Sequence, residues 1–252
     1  MKKIKEFINN SRQNIHSHFR KTYLYKNTNP DLVKHLKPTI TCQKKWYGTS
    51  YGGFYINPNL LTNQSVIYSF GIGKDISFDM ACSNHHQSSI YAFDPTPKSI
   101  KWIKEQKLPA NFHFFDFGIS VGDQEFTVFY LPKNTKSVSG STIQSDVFDT
   151  NNSIKLPMKS FAKITEMLHH THIDVLKIDI EGSEYEVLED ILTTKISINQ
   201  LLIEFHDRLF DMQTYKSVEI VKKLNEAGYH IFGCSKSFEE VSFIHASVLK
   251  NT

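Results

Sequence analysis

From residue 66 onward, short apolar runs alternate with segments of helical period, and this alternation limits the possible folds more than any other feature. A strand, a helix and a second parallel strand in one sheet close as a right-handed crossover. Repeated units of this kind build a mostly parallel sheet covered by helices on both faces. The runs VIYSFG (66–71), SIYAFD (89–94), NFHFFDFGIS (111–120), EFTVFYL (125–131), IDVLKIDI (173–180) and QLLIEFH (200–206) have the length and the β-branched or aromatic content of strands. Helices are expected at 75–86 with Asp75 as N-cap, at 95–106 with proline in the first turn, and at 158–170. Two more are expected at 183–194, opening on the capping box Ser183 to Glu186, and at 214–228, ending at Gly228. YHIFGCS (229–235) and EVSFIHASVL (240–249) read as a closing hairpin that adds an antiparallel edge strand. Residues 132–156 are polar and aperiodic and read as a long loop. The fold class is therefore α/β, with about seven strands and a C-terminal antiparallel hairpin.

At 252 residues, 40% hydrophobic and 22% charged, the chain has an ordinary globular composition. No apolar run is long enough for a membrane helix. The N-terminal stretch is basic without the apolar core of a secretory signal, so the expected location is cytoplasmic. Cys42, Cys82 and Cys234 are odd in number and widely spaced, which argues against a disulfide framework and a structural zinc site. Residues 1–46 carry eleven Lys/Arg against two acids, Glu6 and Asp31. They are expected to form a basic, mostly helical extension ahead of a domain at 47–252. Such an arm suits an anionic partner: a membrane surface, a lipid-linked glycan or another phosphate-bearing acceptor, or nucleic acid. The arm contains Phe7, Phe19, Tyr23 and Tyr25, which could stack on bases, yet it matches no nucleic-acid module.

In open α/β sheets ligands sit beyond the carboxyl ends of the strands. After the first strand comes Ser69-Phe70-Gly71-Ile72-Gly73, a turn that could bring backbone close to a ligand, or a simple tight turn. Asp94, 23 residues beyond Gly71 and followed by Pro95, could accept hydrogen bonds from a ribose diol or cap the next helix. In VLKIDIEG, period-two geometry places Lys177, Asp179 and Glu181 on one face of a strand that should be apolar on both. Glu204 and His206 share a face of the next strand. If the two strands are neighbours, Asp179, Glu204 and His206 converge, either as a general base with orienting partners or as ligands of Mg²⁺ or Mn²⁺. His85, His86, His169, His170 and His172 lie near helix ends, where structural or surface roles are expected.

VIYSFGIGKDISFD, YAFDPTP, IDVLKIDIEGSEYEVL and QLLIEFH, in this order, resemble the FkbM-type methyltransferases. The resemblance spans about 45–246 and implies a Rossmann-like class I methyltransferase fold using S-adenosylmethionine. It further implies O-methylation of a hydroxyl on a sugar, glycan or small metabolite. By position it assigns Gly71 and Gly73 to the methionine part of the cofactor and Asp94 to the ribose, with Ser69, Phe70, Ile72, Pro95 and Asp179 also expected to bind the cofactor. Asp116 and Phe117 would lie near the adenine, and Asp179 and Glu181 at the transfer site; there Asp179 or His206 is the expected base, with Glu181 and Glu204 positioning. Relatives carry a DGGY-like segment before the first strand; here it is Ser50-Tyr51-Gly52-Gly53-Phe54, without the acid. Two rival readings are a nicotinamide-dependent oxidoreductase and a non-catalytic nucleic-acid-binding protein. The missing third glycine of a GxGxxG turn, where Ile76 stands, and the charged KIDIEGSE segment argue against the first.

Overall fold

The computed structural model describes residues 28–122, 124–133, 140–142, 148–210 and 215–251. Most of the expected N-terminal extension, residues 1–27, lies outside them. The central sheet has seven strands in the order β11-β12-β10-β9-β3-β4-β5. These are β3 (Val66–Phe70), β4 (Ser89–Phe93), β5 (Phe112–Phe115), β9 (His172–Ile178), β10 (Ser197–Glu204), β11 (Tyr229–Cys234) and β12 (Glu240–His245). The pairs from β5 through β10 are all parallel, and β12 runs antiparallel to both its neighbours. The antiparallel strand is thus inserted one place in from the edge, and β11 forms the edge. This corrects the expected antiparallel edge strand, although the hairpin itself is present.

Five α-helices cover the sheet among the described residues. They are α1 (Ser77–His86), α2 (Pro97–Ile103), α3 (Phe161–Met167), α4 (Glu184–Leu192) and α5 (Ser217–Glu226). Alternate strand residues point to opposite faces. Tyr68, Leu176 and Leu201 pack with Ile164, Leu188 and Leu224 from α3, α4 and α5. Ile67, Val175 and Leu202 pack with Phe78, Cys82 and Ile103 from α1 and α2, and with Phe54 and Ile56 of β2 (Phe54–Ile56). Cover on both faces is why β3, β9 and β10 read as near-continuous apolar runs. Phe70, Phe93 and Phe115 stack across adjacent strands with ring centroids 4.5 and 5.1 Å apart. The three cysteines are free.

Several local expectations are corrected. The third strand is two: β5 ends at Phe115, and β6 (Gly118–Ser120) leaves the main sheet to join β7 (Phe126–Pro132) and β8 (Phe148–Ser160) in a three-stranded sheet of order β6-β8-β7. The last nine residues of the expected loop at 132–156 are therefore strand; residues 134–139 and 143–147 lie outside the described ones. β8 also takes the first three residues of the expected helix at 158, which starts at Phe161 with Ser160 as its N-cap. Gly140 and Ser141 dock on β7 through a bridge between Tyr130 and Ser141. The described part of the basic segment is not α-helical. It holds one 3₁₀ turn, Lys34–Leu36, whose neighbour Val33 and own Leu36 enter the main core, and it leads into β1 (Lys45–Tyr47), paired with β2. No described helix is long and apolar enough to cross a membrane.

Candidate functional site

Strand order reverses between β3, which turns toward β4, and β9, which turns toward β10. The tips of these strands border a cavity of about 250 Å³. At one end Gly71 and Gly73 both have positive φ, +76° and +53°. A Cβ on Gly71 would lie 1.7 Å from the Asp179 carbonyl oxygen, so only glycine lets the first turn rest directly on the tip of β9. The Gly73 amide donates to Asp94 Oδ2 at 2.8 Å, and the Thr96 amide and hydroxyl donate to Asp94 Oδ1 at 2.9 and 2.6 Å. Asp94 therefore ties the β3 and β4 turns together. Burial pushes its carboxyl up, and these hydrogen bonds work in the opposite direction.

Asp75 does not serve as the expected N-cap position, which Ile76 occupies, but its carboxylate accepts the Ser77 amide at 2.7 Å and the Thr49 hydroxyl at 2.5 Å. Thr49 Oγ1 in turn accepts the amides of Tyr51 and Gly52, which line the cavity. The SYGGF segment thus forms part of the wall, held through Thr49 and Asp75.

At the other end the chain leaves β9 at Ile178, and Glu181 adopts a left-handed φ of +50°, followed by Gly182 at +102°. Strand periodicity does not reach Glu181; the turn brings it to the cavity instead. Lys177 is buried beneath, donating to the Gly71 carbonyl at 3.1 Å and lying 3.9 Å from Asp179. β9 and β10 are neighbours, which meets the condition for Asp179, Glu204 and His206 to converge, and their acids surround His206. Its Nε2 lies 3.7 Å from Asp179 Oδ1, 3.5 Å from Glu181 Oε2 and 3.8 Å from Glu204 Oε1. Its Nδ1 lies 3.2 Å from Glu184 Oε1, which also accepts the His206 amide at 2.8 Å.

Glu184 was missed as a site residue. It closes the KIDIEGSE motif, but it also falls within Ser183 to Glu186, where the sequence suggests a capping box. In the structure Ser183 makes no capping bond and pairs with the Thr142 hydroxyl at 2.7 Å, while Glu184 is fully buried on His206 and the Gly182 amide. Burial raises the Asp179 carboxyl, opposed by Lys177 and His206. Glu204 is pushed well up by burial and by the charges of Asp179 and Glu240. Burial alone would lower His206, but Glu184 and Glu181 outweigh it and lift the imidazole to about 10.

The cavity brings together Phe70, Gly71, Ile72, Gly73, Asp94 and Pro95 with Asp179 and Glu181. Glu204 and His206 are buried behind that wall. Ser69, Asp116 and Phe117 do not line the cavity; Gly118, Ile119 and Ser120 of β6 do, with Phe129 and Met158 from the small sheet. The small sheet's part was not legible, because half of it was read as loop. His86 and His170 hold the hydroxyls of Tyr47 and Tyr68, each at 2.8 Å, in structural roles.

The Methyltransferase FkbM domain family matches residues 63–231, from just before β3 into β11. The chain belongs to the FkbM methyltransferase family. It is also similar to probable methyltransferase-like protein 24 of Rattus norvegicus, 25% identical over 177 residues that make up 68% of this chain and 39% of that protein. The match thus spans about two fifths of the relative's length. Among solved structures, fibrillarin of Aeropyrum pernix with natively bound S-adenosylmethionine has a TM-score of 0.38 at 9% identity, covering 83% of this chain and 85% of that one. Human N-acetylserotonin methyltransferase with the same molecule has a TM-score of 0.34 at 11% identity, covering 75% and 50%. The SYGGF segment of the cavity wall lies ahead of the residues that the family matches.

Proposed function

We propose that this FkbM domain takes a methyl group from S-adenosylmethionine and places it on a hydroxyl oxygen of a sugar, glycan or small metabolite. The observation that carries this reading is one cavity lined both by the Gly71–Gly73 turn and Asp94 and by the acids Asp179 and Glu181. The residues fit the cofactor: a glycine turn with close backbone approach, and a carboxylate whose Oδ2 keeps a lone pair for a ribose hydroxyl. S-adenosylmethionine, when bound, supplies a sulfonium-activated methyl. The protein's tasks are then to hold the acceptor in line with that methyl and to remove the hydroxyl proton.

Asp179 is our choice of base, with Glu181 beside it, because their side chains keep 24% and 22% exposure at the cavity. The carboxylate would take the hydroxyl proton as the oxygen gains the methyl. His206, with no exposure, positions Asp179 and Glu181 from behind, and Glu204 does so from β10. The adenine would rest against β6, at Gly118 to Ser120.

Calorimetry on the purified chain tests the reading. S-adenosylhomocysteine should bind and NAD⁺ should not, and a labelled methyl should pass from S-adenosylmethionine to a hydroxylated acceptor. Binding of NAD⁺ without S-adenosylhomocysteine would overturn it. We further propose that the basic residues ahead of the 47–252 domain bring it to an anionic surface on the cytoplasmic side, where lipid-linked glycans would be acceptors. Removal of residues 1–27 should then reduce sedimentation with anionic vesicles; unchanged sedimentation would refute this. Binding to RNA in place of vesicles would favour the nucleic-acid reading.

A further inference from the structure

We propose that Asp179, Glu204 and His206 bind one divalent first-row cation of the Mn²⁺ type at the acidic end of the cavity. The decisive atom is His206 Nε2. It is fully buried and has no hydrogen-bond partner among the described residues, yet it is aimed at carboxylate oxygens of Asp179, Glu181 and Glu204 at 3.5–3.8 Å. These distances are too long for hydrogen bonds. They fall close to the separation of adjacent ligand atoms around a shared ion, about 3.0–3.6 Å for bonds of about 2.1–2.2 Å. One ligand atom from each of Asp179, Glu204 and His206 lies within 4.8 Å of the other two.

The other ring nitrogen gives independent support. Nδ1 faces the Glu184 carboxylate, which is anchored in turn by the amides of Gly182 and His206. An acceptor on Nδ1 keeps one ring proton there, so a cation need displace only the Nε2 proton for that nitrogen's lone pair to face the cluster. A carboxylate behind a metal-binding imidazole is a recurrent arrangement that fixes the ring and raises its basicity. Two carboxylates and one imidazole suit Mn²⁺ better than Mg²⁺, which rarely takes nitrogen, or a soft thiophilic ion. With three protein ligands the ion keeps open positions. Because His206 closes the rear and Asp179 borders the cavity, those positions face the space assigned to the acceptor.

The role that follows, lowering the pKa of the acceptor hydroxyl, rests on the methyl-transfer reading; the binding itself does not. A neighbouring group, Glu204 with Glu239 and Glu240, meets the same distance criterion. There, however, Arg208 neutralises Glu239 at 2.9 Å, and Ser237 donates to Glu240 at 3.0 Å. Its acids are thus occupied, and it contains no imidazole.

The test uses the full chain, stripped with chelator and titrated with MnCl₂, with electron paramagnetic resonance reporting free and bound Mn²⁺. One Mn²⁺ per chain is expected, with a nitrogen coupling from His206 in the pulsed spectrum. Asp179→Asn and Glu204→Gln should each weaken binding by more than about tenfold. Glu189→Gln, on the outer face of α4, should leave it unchanged. If Glu204→Gln does not fold, Asp179→Asn decides, since that side chain is partly exposed. No stoichiometric uptake by the wild type up to about 1 mM Mn²⁺ overturns the proposal, as does equal uptake by Asp179→Asn. S-adenosylhomocysteine affinity without Mn²⁺ uptake removes the metal and leaves the methyl-transfer reading. Mn²⁺ uptake without that affinity removes the methyl-transfer reading and leaves the metal.

Discussion

The two ends of the cavity are built on opposite physical terms. At the Gly71–Asp94 end the polar groups are paired: Asp94 accepts three hydrogen bonds from its own turns, and the turn backbone fits by having no side chain. At the Asp179–His206 end four carboxyl groups crowd one buried imidazole, and among the described residues Glu184 alone hydrogen-bonds the ring. The first end contributes to stability as it stands. The second is costly to fold, because buried like charges oppose one another. Such a cost is understandable where a function requires the charges. The comparison therefore teaches which end should tolerate loss of charge and which should tolerate loss of shape.

The largest effect should come from shape, at the contact joining the two ends. Gly71→Ala would drive a methyl into the Asp179 carbonyl from a left-handed backbone, and should cost at least about 4 kcal/mol or prevent folding. Gly73→Ala has a positive φ but open space around its Cβ position, and should cost only about 1 kcal/mol. Denaturant unfolding of both variants checks the pair; equal losses would show that backbone conformation, not the contact, governs the turn.

Charge removal should separate the ends functionally. Asp179→Asn should lower kcat by about 10²–10⁴-fold while S-adenosylhomocysteine affinity changes less than about threefold. Asp94→Asn should instead weaken that affinity by about tenfold through the weaker amide acceptor, with kcat at saturating cofactor nearly kept. Single-turnover assays with calorimetry on both variants would break the comparison if the two losses exchanged places.

Legibility in the sequence follows the same division. The parallel strands could be read because each is buried on both faces and therefore apolar throughout. The meeting of Asp179, Glu204 and His206 could be read because charges in such strands are rare enough to stand out. Glu184 could not, since an acid at the start of a helix has an ordinary explanation in capping; only the tertiary contact with His206 displaces it. β8 was hidden for a different reason. Its first half, TNNSIK, lies in a half-exposed three-stranded sheet whose polar residues follow no strict alternation, so hydrophobic period carried no signal there. The inserted position of β12 is likewise set by pairing and not by local pattern, because a hairpin sequence is the same on either side of its partner strand.

The smallest effect expected lies beneath the acidic end, at Asp79 on α1. Its carboxyl is fully buried, and neither oxygen takes a hydrogen bond from a described residue. Burial raises its pKa, opposed by the charge of Lys177. The folded state therefore holds this proton to higher pH than the unfolded chain does. The associated stability is fully present below the ordinary carboxylate range and is lost as pH rises through the folded value. Asp79→Asn removes the ionisation while keeping the shape. The variant should gain about 2–4 °C in Tm over the wild type at the alkaline end of the series and show no gain at the acidic end. Melting curves across pH measure the difference directly. A gain that is greatest in acid would mean that Asp79 is held ionised by Lys177. In that case this buried acid belongs with the paired groups of the Asp94 end, not with the strained ones above it.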